Sequence, residues 1–309
     1  MNSAAKTLEH PVVHTRPAVL DYLELMKPEL TSLSVLTALC GFYLATKGGF
    51  NYWLFFHTAV GTLCVGGAAG ALNQYIERNY DALMKRTERR PLPSGRLHPR
   101  AVLLFGTLLS IVGMFQLRFL VNPLTGFLAF ITFTTYLFLY TPLKRMTPLS
   151  TLVGGFPGAL PPVIGWTAVR NELSIEALIL FAILFCWQMP HFFSLAWMYR
   201  KDYARAGFKV LPVLDENGTR TSRQILFFCT ALIPASLALH YVGTTGLLSA
   251  AIALTLGVAF LLSGIALWRC AGRRGPEALG KINFYARRLF FASLLYLPTL
   301  LILMSLDKM

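Results

Sequence analysis

Asn73, Glu77 and Asp81 recur at intervals of four in a chain that is poor in acids, with 14 Asp and Glu among 309 residues. On a helix this spacing places the three side chains on one face, drifting by about 40° per step. An amide oxygen and two carboxylates stacked in this way suit a hard cation. Mg²⁺ fits best, because it takes few protein carboxylates and keeps positions for water and phosphate. Arg78, Lys85, Arg86, Arg89 and Arg90 crowd the same turns. Acids that hold a metal, beside bases that hold an anion, point to a diphosphate bridged through Mg²⁺. The competing reading is a salt-bridged helix end, with Glu77 and Asp81 paired to Arg78 and Lys85 and the bases only setting topology. Spacing alone leaves both readings open.

Two further segments carry polar chemistry. One runs Trp187-Gln188-Met189-Pro190-His191 and then from Tyr199 to Lys209, with Asp202 set among Lys201, Arg205 and Lys209. The other is Tyr140-Thr141-Pro142-Leu143-Lys144-Arg145. The first of these lies four apolar runs beyond Asn73–Arg90, which suggests a pseudo-repeated pair of loops facing one cavity. The five cysteines are scattered singly, with no spacing that suits a metal, and read as small apolar filler.

These segments need elements to hold them, and composition says which. Hydrophobic residues make up 55% of the chain and charged ones 14%, with a mean hydropathy of +0.56, yet the net charge is +14. Disorder is excluded by the hydrophobicity, and a compact nucleic-acid-binding domain by the lack of soluble surface to carry the charge. An all-α polytopic membrane protein remains. Runs of about 20 apolar residues predict nine spans near 30–47, 52–76, 101–120, 123–140, 149–169, 174–198, 225–243, 247–268 and 284–305. The fifth contains Gly154-Gly155-Phe156-Pro157-Gly158-Ala159-Leu160-Pro161-Pro162. It should be bent or broken, lining protein or a cavity rather than lipid.

Across these nine spans, 24 of the 28 Lys and Arg fall on alternate connections. The positive-inside rule then places the N-terminus in the cytoplasm and the C-terminus outside. The expected layout is a cytoplasmic segment over 1–29, one transmembrane domain over 30–305 and a short tail over 306–309. The first thirty residues hold Lys6, Arg16 and Lys27 beside Glu9, Asp21, Glu24 and Glu29. That balance does not suit a mitochondrial transit peptide, and no early apolar run ends in a small-residue cleavage site as a secretory signal would; a bacterial cytoplasmic (inner) membrane is favoured.

At these residues the chain resembles the UbiA superfamily of intramembrane prenyltransferases, and within it the branch that farnesylates haem. The superfamily pattern Asn-x-x-x-Asp-x-x-x-Asp reads Asn73, Glu77, Asp81 here. The similarity extends through Met84, Arg86-Thr87 and Arg89-Arg90-Pro91, Tyr140 to Arg145, Gly154-Gly155 to Gly165-Trp166, Trp187 to Phe193, and Tyr199 to Pro212, within roughly 20–300. Many members carry a second Asp pair after the sixth span. Those places hold Tyr199 and Tyr203 here, with Asp202 the remaining acid, so Lys201, Arg205 and Lys209 would carry more of the diphosphate charge.

The resemblance implies nine helices around a central cavity. It also implies transfer of a farnesyl group from farnesyl diphosphate to a vinyl group of haem B, giving haem O and diphosphate, with water supplying the new hydroxyl. Mg²⁺ would be held by Asn73, Glu77 and Asp81, and the diphosphate contacted by Arg78, Lys85, Arg86, Lys144 and Lys201. Tyr140 belongs to the matched motif and would face the carbocation; Tyr136, Tyr199 and Tyr203 read equally as interfacial aromatics. His191, next to Pro190 inside a span, is a candidate haem ligand or substrate contact. Its alternative is a neutral ring bonded to a backbone carbonyl freed by the proline. His10, His14, His57, His98 and His240 lack such a context. Expected partners are membrane lipid and a haem A-forming enzyme or terminal oxidase, with no nucleic acid. The rivals are a prenyltransferase with an aromatic acceptor, as in quinone synthesis, and a non-enzymatic membrane carrier.

Overall fold

Strong helix starts mark out the chain. Asn51 accepts from the Leu54 backbone N–H at 3.0 Å and opens a helix over Tyr52–Asp81. Asn122 accepts from Thr125 N at 2.9 Å, with Pro123 in the first turn, and opens the next helix but one. The computed structural model describes residues 17–273 and 275–309. Lys6, Glu9, His10, His14 and Arg16, and with them most of the expected N-terminal segment, lie outside the described residues.

Among the described residues, nine helices are long and apolar enough to cross a membrane: Pro28–Ala45, Tyr52–Asp81, Pro99–Val121, Pro123–Leu143, Ser150–Arg170, Ile175–Met198, Thr219–Tyr241, Leu247–Cys270 and Pro276–Leu306. This is an integral membrane protein, and all nine expected spans are present. The ninth starts eight residues earlier than its apolar run, because Pro276 begins a polar first turn that hydropathy alone does not register. A short helix, Ala18–Leu25, precedes the first span.

The second span matters most for the site. Its 30 residues come to about 45 Å at 1.5 Å per residue, against a hydrocarbon core of about 30 Å. Its last turns therefore run on past the apolar stretch and carry Asn73, Glu77 and Asp81 on regular helix.

The fifth span is broken as expected. One helix ends at Ala159 and another starts at Pro161, and the span is the most buried of the nine. Gln188 of the sixth span donates to the Gly155 carbonyl at 2.7 Å, so polar backbone in this stretch has a partner inside the protein. Its second half lies tight against the first span. A Cβ on Gly165 would collide with the Ala38 carbonyl, and one on Gly41 with the Pro162 carbonyl. Small residues here let two backbones meet.

The first span packs on the second, fifth and ninth, the sixth on the seventh and ninth, and the fourth bridges the third to the fifth. The first six spans and the ninth thus surround a cavity.

Candidate functional site

The cavity has a volume of about 260 Å³ and is walled by the first six spans and the ninth. Its lining is chiefly apolar, with Leu117, Ile164, Leu184 and Leu297 deep inside. Lys27, Tyr136 and Tyr140 line it beside the polar ends of the helices. The fourth span widens to a π-helical turn over Thr135–Tyr140, where both tyrosines sit. Thr141 Oγ1 donates to the Tyr136 carbonyl, five residues back, at 2.9 Å.

Asn73, Glu77 and Asp81 lie together on the second span with exposures of 1%, 5% and 1%. Burial this deep demands partners, and each has one cation. Lys27 Nζ donates to Asn73 Oδ1 at 2.6 Å, while the Asn73 amide donates to Thr141 Oγ1 at 3.1 Å. Lys144 Nζ donates to both Glu77 oxygens, at 2.9 and 3.1 Å. Arg90 Nη1 donates to Asp81 Oδ2 at 2.8 Å. Burial works against the Lys144 ammonium, but the Glu77 carboxylate together with the Tyr140 and Tyr136 hydroxyls outweighs it and raises the Lys144 pKa. The Lys27 ammonium is driven the other way, down to about 7, by burial first and then by the positive charges of Arg90 and Lys144.

The other sequence candidates divide. Tyr140 lies under Lys144, whose Nζ is 4.6 Å from the ring centroid and 5.9 Å from that of Phe208. Arg86 donates to the Tyr203 hydroxyl at 3.3 Å and sits over the Tyr199 and Tyr203 rings. The two places where the resemblance would set a second acid pair thus present rings to a guanidinium. The first and second polar loops meet at Met84, Ala206 and Phe208, and the Lys209 N–H bonds the Lys144 carbonyl at 2.8 Å. The two loops pack against each other, but of the two segments expected to face one cavity only Trp187 lines it.

Arg78 is not gathered in. It donates to the Tyr75 carbonyl at 2.7 Å and lies over the Tyr75 ring. Lys85 and Lys201 are exposed, and Asp202 pairs with Arg205 at 3.3 Å on a short helix outside the cavity wall.

His191 lies behind the wall. Its ring is stacked between Trp187 and Phe290, and Nδ1 is 2.7 Å from Ser293 Oγ of the ninth span. Trp187 Nε1 donates to the Ser293 carbonyl at 2.8 Å, and Trp187, unlike His191, lines the cavity. The partner that His191 Nδ1 finds is thus a side chain from another span, where the sequence suggested a carbonyl beside Pro190. We expect His191→Ala to leave the Soret band of added haem B unchanged and to lower the melting temperature. A shifted Soret band would identify His191 as an iron ligand.

A cation fits among these residues. Asp81 Oδ1 is buried with no hydrogen-bond partner, and the convergent donors are all oxygens, which suits Mg²⁺. Among the described residues no group of three His, Cys, Asp or Glu gathers as a metal centre; the oxygens on offer here are those of Glu77, Asp81 and the Asn73 amide. Sequence reading passed over Lys27 and Thr141 as site residues. The signal for Lys27 was its place directly before Pro28, which makes it the cap of the first span on the basic side.

The UbiA prenyltransferase family matches residues 34–299. A protoheme IX farnesyltransferase of Solibacter usitatus is 44% identical over 298 residues, covering 93% of this chain and 98% of the relative. Two solved structures share the fold. One is a digeranylgeranylglyceryl phosphate synthase, with a TM-score of 0.74 at 15% identity, covering 93% of this chain and 98% of that one. The other is a UbiA homologue from Archaeoglobus fulgidus bound to GPP and Mg²⁺, with a TM-score of 0.66 at 12% identity, covering 90% and 99%.

Proposed function

The chain belongs to the UbiA prenyltransferase family, and from that premise we propose that it transfers a farnesyl group from farnesyl diphosphate to a vinyl group of haem B. The products are haem O and diphosphate. One observation carries the reading at the level of residues: three cations pair with three oxygen-bearing side chains of the second span, and one of those cations, Lys27, also lines the apolar cavity.

The difficult step is breaking the allylic C–O bond, which leaves negative charge on the departing diphosphate and positive charge on the farnesyl carbon. Lys27, Lys144 and Arg90 stand ready to bind that diphosphate, with Arg86 beside them; fixed cations in a low-dielectric site stabilise such charge strongly. Mg²⁺, which the A. fulgidus homologue binds together with GPP, would be held by Asn73, Glu77 and Asp81 and would neutralise the leaving group further.

The apolar walls hold the farnesyl tail and keep bulk water from the allylic cation. Tyr136 and Tyr140 line the cavity, where an aromatic ring would stabilise the allylic cation. A volume of about 260 Å³ falls below the roughly 300–1,000 Å³ of ordinary ligand pockets. It takes the tail, leaving the macrocycle to present its vinyl group at the cavity edge. Attack by the terminal vinyl carbon forms the new C–C bond and moves the positive charge next to the macrocycle. Water adds its oxygen there and releases a proton, which balances the reaction.

The protein would sit in a bacterial cytoplasmic membrane, as one transmembrane domain with its N-terminus and site on the cytoplasmic side. It would pass haem O to a haem A-forming enzyme or a terminal oxidase.

The test is acceptor choice. Purified protein given farnesyl diphosphate and equal amounts of haem B and a hydroxybenzoate should prenylate haem alone. Prenylation of the aromatic acid would overturn the assignment in favour of quinone synthesis. No pyrophosphate release with either would favour a carrier.

A further inference from the structure

The three motif residues are answered by three cations, one for one: Asn73 by Lys27, Glu77 by Lys144 and Asp81 by Arg90. A divalent cation arriving alone must displace positive groups from the oxygens it needs, against like-charge repulsion. A diphosphate arriving with it offers those groups a second anion to hold.

Lys27 is the one best built to move across. It belongs to none of the nine spans and reaches Asn73 on a long stem. Its backbone lies at φ 50°, ψ 64°, a left-handed conformation unusual for lysine and further disfavoured before Pro28. Such strain persists only where the surroundings enforce it, and here they do. Gln74 Nε2 donates to the Leu25 carbonyl at 3.1 Å, and Thr31 Oγ1 to the Met26 carbonyl at 2.6 Å. A Cβ on Gly70 would come within 3.0 Å of the Leu25 carbonyl oxygen. Arg96 binds Asp21 and, at 3.2 Å, Glu24, and donates to the Arg89 carbonyl at 2.7 Å. The turn that aims the ammonium at Asn73 is thus pinned to the second span and to the loop that carries Arg90.

We propose that Lys27 is a positioning residue that holds the Asn73 oxygen in the substrate-free protein and passes to the diphosphate when it binds, so that metal and prenyl diphosphate each strengthen the binding of the other. The inference rests on the prenyl-transfer reading of the same site.

The test is Mn²⁺ uptake followed by electron paramagnetic resonance on the full chain in detergent, with and without farnesyl thiolodiphosphate. A protein-free titration corrects for metal held by the analogue itself. In the wild type the analogue should tighten Mn²⁺ binding about tenfold or more. Lys27→Met should bind Mn²⁺ about three- to tenfold more tightly than the wild type when no analogue is present, because the competitor is gone, and should lose most of the coupling. Lys27→Arg, which keeps a cation, should restore the wild-type pattern.

A merely structural lysine would not strengthen substrate-free metal binding on removal. Unchanged or weaker Mn²⁺ binding by Lys27→Met without analogue overturns the proposal. Should that variant not fold, a wild type whose Mn²⁺ affinity ignores the analogue overturns it equally. Haem O formation is read in the same wild-type preparation. Its absence sinks the functional reading, while haem O formation beside uncoupled Mn²⁺ binding sinks this inference alone.

Discussion

Asp81→Asn is expected to lower haem O formation by roughly 10²–10³-fold, the range for removing one preorganised group that stabilises transition-state charge. The fold should survive. The asparagine oxygen still accepts from Arg90, which now reaches Asp81 Oδ2 at 2.8 Å, and Thr87 Oγ1 bonds the backbone carbonyl of residue 81 at 2.8 Å whatever the side chain. What goes is the charge and one of two oxygens, including the buried Oδ1 that no protein donor satisfies. A carboxylate oxygen left bare at 1% residue exposure is costly to keep, which fits an atom kept for a ligand. Product is measured by chromatography of extracted haem at saturating Mg²⁺, with melting temperature as the control for folding. Full activity with unchanged metal dependence would remove Asp81 from the site.

Lys144→Met should be the more damaging change to the fold. Lys144 neutralises Glu77 through two hydrogen bonds, in a pair whose side chains are 13% and 7% exposed. Removing one partner of a buried pair strands the other charge, at a cost of about 3–5 kcal/mol. A second change separates structure from chemistry. Glu77→Gln in the same chain removes the stranded carboxylate, so the double variant should recover most of the lost stability, and unfolding in denaturant would show the recovery. Activity should not return, because both the diphosphate cation and a metal-side carboxylate are missing. Recovery of haem O formation together with stability would make the pair a structural strut and nothing more.

Much of this was legible in the residues. Nine apolar runs and alternating charge defined the spans, since membrane helices are set by length and composition, both of which are local. The break in the fifth span followed from Pro157, Pro161 and Pro162. The shared face of Asn73, Glu77 and Asp81 followed from helical period, provided that the second span ran on to Asp81, and it does. What the residues did not disclose depends on contacts far apart in the chain. Lys27 meets Asn73 across 46 positions, and Asn73 meets Thr141 across 68. His191 finds Ser293 across 102. Arg78 is close to the motif in the chain but turns to Tyr75 on its own helix, because a helix sends neighbouring residues to different faces. Clustering in sequence marked the right loops without saying which bases in them turn inward.

The central claim is farnesyl transfer to haem at a site of paired oxygens and cations. Its most direct measurement is mass spectrometry of haem B incubated with the purified protein, farnesyl diphosphate and Mg²⁺, with released pyrophosphate counted in the same tube. The expected result is haem O and pyrophosphate in equal amounts, with neither formed when Mg²⁺ is removed by chelation. Haem B recovered unchanged while pyrophosphate accumulates, or while none is released, would contradict it.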